Sequence, residues 1–99
     1  ATPQPRAHWQ FSARLTAIKL PTAVTAGAEL VLYSLGVKQA ARVLRVDEHS
    51  LEQGGTRIVE FRFVHAAEFL LEGSSCILRE GSAGSQDLGV AVGEICTCK

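Results

Sequence analysis

Over residues 57–64 the side chains alternate without a break, with Arg57, Val59, Phe61 and Phe63 on one parity and Ile58, Glu60, Arg62 and Val64 on the other. A helix of about 3.6 residues per turn would scatter these residues around its axis, whereas a strand gives each parity its own face. The pattern therefore calls for a half-buried strand with Val59, Phe61 and Phe63 in the core. A strand in turn demands neighbours, because its backbone donors and acceptors must be paired.

The same period recurs along the chain. Residues 8–20 set Phe11, Ala13, Leu15 and Ala17 against Gln10, Ser12, Arg14 and Thr16. Pro21 ends that ladder, because it has no amide hydrogen to donate, and Thr25-Ala26-Gly27 supplies a turn. Glu29–Ser34 reads as the next strand, joined through Ser34-Leu35-Gly36 to a strand over residues 37–47 as a hairpin. Within residues 40–46 apolar side chains fall on both faces, as expected where a strand bends and switches partners in a closed barrel. A helix is the rival reading there, since alanine and arginine form helices well, but Val37, Val43 and Val46 between turn signals favour a strand.

Residues 47–55 are polar and end in Gly54-Gly55, which predicts a loop with room for one helical turn. A break at residues 65–68 leads through residues 69–73 to a strand at Ser75–Glu80, and the last strand runs over residues 88–98. Residues 81–87, rich in glycine and serine, read as a flexible hairpin tip between them. Six strands with no helix beyond a turn or two predict an all-β fold, a six-stranded closed antiparallel barrel, because closure removes the free edges of an open sheet. At 99 residues the chain holds one core. Residues 8–99 form that single domain, with residues 1–7 a flexible lead-in or linker that lacks the apolar run of a secretory signal.

Composition narrows function mainly by exclusion. Ten basic and ten acidic residues cancel, so any nucleic-acid contact has to be local. No apolar run approaches the roughly 20 residues of a membrane helix. Three cysteines, Cys76, Cys96 and Cys98, are too few and odd in number for a disulfide framework, which points to a reducing compartment. Cys96 and Cys98 are separated by one residue, tighter than the roughly two to four of paired zinc cysteines, and His8, His49 and His65 are dispersed, so no metal site is expected. Gly81-Ser82-Ala83-Gly84 has no lysine after it, and no nucleophile elbow is in register, so neither nucleotide hydrolysis nor acyl transfer is expected of this chain. The positive hint is a set of cations, Lys38, Arg42 and Arg45 on one segment and Arg57, Arg62 and Arg79 on strands expected beside it. Converging at a barrel rim, they could bind phosphates; interleaved with Glu48, Glu52, Glu60, Glu68 and Glu80, they could equally be a solubilising surface.

Lys38-Gln39-Ala40-Ala41, Phe61-Arg62-Phe63, Ala67-Glu68-Phe69-Leu70 and Arg79-Glu80-Gly81, closed by Val92-Gly93, occur in an order similar to the third domain of elongation factor Tu-like GTPases. Among these the sequence most resembles the GTP-binding protein 1 and 2 family. Ala67 stands where that family has proline, and the turn after Gly81 is longer here. The resemblance implies a six-stranded barrel that follows a GTPase domain and a second barrel in a cytoplasmic translation factor. It further implies that GTP and magnesium belong to the parent chain and not to this domain, which carries no cofactor and no catalytic residue. The expected partners are the GTPase domain of the same protein and tRNA or the ribosome, with no membrane. Arg79, Glu80 and Gly81 then inherit an RNA-backbone role, with Lys38, Gln39 and Arg42 as a secondary patch. A purely structural or protein-docking barrel is one alternative. A stand-alone oligonucleotide-binding barrel is another, and that one would need aromatic platforms on a sheet face.

Overall fold

The computed structural model describes residues 6–80 and 89–99. The elements in chain order are β1 (Ala7–His8), β2 (Gln10–Lys19), β3 (Glu29–Ser34), β4 (Val37–Val46), β5 (Thr56–Phe63), β6 (Glu68–Phe69), β7 (Ser75–Glu80) and β8 (Val90–Cys98). Six of them close a barrel in the order β2-β5-β4-β3-β7-β8, and every neighbouring pair is antiparallel. The all-β barrel expected from the alternation is thus the observed fold.

The parity of the sequence becomes the inside and outside of the barrel. Phe11, Ala13, Leu15 and Ala17 of β2 and Val59, Phe61 and Phe63 of β5 are all buried. Phe11 stacks on Phe61 with ring centroids 5.0 Å apart and packs tilted on Phe63, also at 5.0 Å. Leu32, Val43, Leu78 and Ile95 complete the interior from the remaining strands.

Two local features make the ring close. The β3–β4 hairpin turns on Leu35 (φ 40°) and Gly36 (φ 86°), a two-residue connection with both centres in the left-handed region, whose twist suits antiparallel strands. In β4 the pairing with β5 shifts register between Val43 and Arg45, so the strand carries a bulge where apolar residues occupy both faces. Residues 40–46 are therefore strand, as read against the helical alternative.

The loop over residues 47–55 departs from expectation. It makes no helical turn, because Glu48 (φ 56°) and His49 (φ 78°) are left-handed. Leu51, in a stretch that reads as polar, has no exposed surface and bridges Val24, closing one end of the barrel. The first strand also breaks at Trp9, so that β1 leaves the barrel and pairs with β6 as a separate two-stranded ribbon.

Candidate nucleic-acid interface

Closing the barrel sorts the six cations. Arg45 pairs with Glu60 at 2.8 Å, and Arg57 pairs with Glu48 at 3.2 Å. Arg57 shares the inward register of Leu15, and its Nη1 donates to the Thr56 carbonyl, so it secures the barrel end. These two are neutralised. Lys38, Arg42, Arg62 and Arg79 are exposed on the outer face, and among the described residues none of them takes part in an ion pair.

The register brings these four together. Arg42 of β4 lies directly opposite Arg62 of β5. Across β3, Val31 is the partner of both Arg79 on β7 and Ala40 on β4. Lys38 and Arg42 thus flank Ala40 along one strand, and Arg79 faces them over a small apolar floor. From Arg62 to Arg79 the patch crosses three interstrand spacings, roughly 14 Å. Glu29, the neighbour of Arg42 on the β3 side, is the carboxylate within the patch. Like charges directly opposite on a sheet are unfavourable, so an unneutralised arginine pair is an arrangement that an anion would stabilise.

The other expected site residues lie elsewhere. Gln39 points inward: its Oε1 accepts from the Ala66 and His65 amides, both at 2.8 Å, and its Nε2 donates to Glu68 Oε2 at 2.6 Å. A buried amide so engaged holds the turn before β6 and is not available to a ligand. Glu80 sits on the opposite face from Arg79, in register with buried Leu30, with its amide bonded to the Gly89 carbonyl. Gly81 lies outside the described residues, as does the glycine-serine tip.

Two aromatic residues that the sequence reading left out of the site join it. The Arg62 guanidinium lies 5.0 Å from the centre of the Trp9 ring, and the Lys38 ammonium 5.7 Å from that of Tyr33. Tyr33 borders a groove of about 420 Å³ between the β3–β4 turn and β7, lined in part by Leu35, Lys38 and Ile77.

Among the described residues no group of three or more histidine, cysteine or acidic side chains gathers around a common point. Burial, with smaller contributions from Cys96 and Glu94, pushes the Cys76 thiol from its ordinary 9.0 up to about 11. Burial and then Glu72 push Cys98 up as well. Neither is an activated nucleophile. Because the Cys76 value is raised on folding, its contribution to stability is complete below pH 9.0 and is lost as pH rises through about 11. Urea unfolding across that range is expected to show a steeper alkaline loss for the wild type than for Cys76→Val. Equal slopes would show that Cys76 is not a source of the alkaline loss.

Among the described residues no helix is long and apolar enough to cross a membrane. No family model matches the chain. Six curated proteins are similar to it. One of them is GTP-binding protein 1 of Xenopus laevis. The two are 29% identical over 77 residues, which covers 78% of this chain and 12% of that protein. The chain therefore spans about an eighth of the length of this relative. The likeness and the six-stranded barrel together fit a domain related to part of a GTP-binding protein.

Proposed function

We propose that this barrel is a non-catalytic domain of a translation factor-like GTPase that contacts RNA backbone through the outer face of β5, β4, β3 and β7 and docks on the GTPase domain of its own protein. The observation that carries the RNA reading is the unneutralised cation cluster, Arg42 opposite Arg62 with Lys38 and Arg79 alongside, in a chain whose ten basic and ten acidic residues cancel overall. The likeness to GTP-binding protein 1 supports the parent assignment. The docking reading is supported by Phe69 and Leu71, which expose 63% and 65% of their surfaces at and beside the β1–β6 ribbon. Apolar side chains exposed together as a patch mark interaction sites, which single ones do not.

Arginine suits the phosphate role because its planar donors engage phosphate oxygens in pairs. The contact would be made to backbone and would carry no sequence information. In this reading nucleotide-driven movement of the GTPase domain presents or withdraws the face, and no bond is made or broken within the barrel. The cellular setting would be cytoplasmic, with tRNA or ribosomal RNA as the ligand and GTP and magnesium confined to the other domain.

Titration with aminoacyl-tRNA at increasing salt tests the RNA contact. Arg42→Glu and Arg79→Ala are each expected to weaken binding and to flatten the dependence of log K on log salt, by about 0.7–0.9 for each phosphate contact removed. Gln53→Glu, in the exposed loop over residues 47–55, serves as the contrast outside the patch. Wild-type affinity and slope retained in both arginine variants would overturn the assignment.

A further inference from the structure

Resting on the RNA reading above, we propose that this face takes unpaired nucleotides, with Trp9 as the stacking surface for a base while Arg42 and Arg79 hold the phosphates of the same strand. Trp9 is an odd residue to find at the surface unless it has a partner: it is 40% exposed, yet its backbone is fixed. Its carbonyl accepts from the Phe63 amide at 2.8 Å, and the next residue, Gln10, exchanges both backbone hydrogen bonds with Lys99. The indole is thus presented from a rigid position at the break between β1 and β2, with little ordering left to do when a ligand arrives.

The cation beside it supplies the second half of the site. Arg62, 5.0 Å from the ring centre, faces Arg42 across the β4–β5 pair. Aromatic rings and guanidinium planes are the surfaces on which unstacked bases lie, and neighbouring arginines meet the phosphates between them. The same combination recurs toward the other end of the face, where Lys38 lies over Tyr33. Along β4 these two ring-bound cations stand on either side of the row that holds Arg79, Val31 and Ala40. Ring, bare cations, ring is the order in which a single strand displays base, phosphates and base. A duplex keeps its bases stacked inside and can offer only its backbone to such a surface.

Trp9 is the sole tryptophan of the chain, so its fluorescence reports the contact directly. The 99-residue protein would be titrated with a single-stranded RNA oligonucleotide and with the same sequence annealed to its complement. Single strands are expected to quench Trp9, and duplex is not. By a binding assay independent of tryptophan, Trp9→Ala should lose on the order of tenfold affinity for the single strand and none for the duplex, and Trp9→Phe should restore most of it. Arg42→Glu should weaken both ligands. Quenching by both forms alike, or a Trp9→Ala loss that is absent or equal on the two, would overturn the stacking role while leaving backbone binding intact. Failure of both RNAs to bind, or binding of both unchanged by Arg42→Glu, would instead remove the RNA reading itself and leave the face to a protein partner.

Discussion

Alanine at position 93 is expected to destabilise the barrel by about 3 kcal/mol, the upper end of what overpacking usually costs. Gly93 of β8 pairs with Leu15 on one side and Cys76 on the other, so it sits where β8 joins β2 to β7 and completes the ring. A Cβ there would lie 1.7 Å from the Arg14 carbonyl oxygen and 2.8 Å from its carbon. Both are backbone atoms, so no side-chain rotamer relieves the clash and the strand must move. Movement opens the β2–β8 pairing and leaves two free edges. Urea unfolding should show the loss, and size-exclusion chromatography should show self-association through the exposed edges. A melting temperature within about 2 °C of wild type would contradict the close approach, because a loss of that size in a domain of this length lowers it by roughly 10 °C or more.

Phe61→Ala is expected to cost about 3–5 kcal/mol, a large part of the total stability of a domain of this size. The ring has no exposed surface and stacks on Phe11 at an interplanar angle of 14°. Its removal leaves a cavity walled by strands from all sides of the barrel, which cannot collapse without breaking their pairing. Phe61→Leu keeps most of the volume and should recover much of the loss. Chemical denaturation of the two variants separates the outcomes: the aromatic pair accounts for only about 0.5–1.5 kcal/mol, so equal losses would contradict the volume account.

The residues of the candidate interface were legible in part. Alternation alone places Arg62 outside when Phe61 and Phe63 are inside, and does the same for Arg79 beside Leu78. Gln39 has the parity of Ala41 and Val43, so its inward direction was also present in the pattern. The apolar residues on both faces around the bulge obscured it. Glu80 accompanies Arg79 through the resemblance of the Arg79-Glu80-Gly81 stretch, although consecutive strand residues face opposite ways. Trp9 has the parity of Phe11 and Ala13, so a strand running straight from residue 8 would place it inside, and only the break between β1 and β2 exposes it. Leu51 escaped for a similar reason. One apolar residue in a polar loop has no period, and only the bridge to Val24 shows that it seals the barrel end.

What the sequence determined by itself is which segments are strands and which face of each is apolar, since both follow from a two-residue period and local turn chemistry that need no knowledge of the rest of the chain. Which strands stand side by side was decided by tertiary structure. The β3–β7 contact joins segments more than forty residues apart, and the bulge in β4 sets the offset against β5. Those two pairings turn four scattered cations into one patch and leave two others neutralised. Backbone pairing is nearly indifferent to side-chain identity, so the partner and offset of each strand are chosen by how all six apolar faces fill one closed interior.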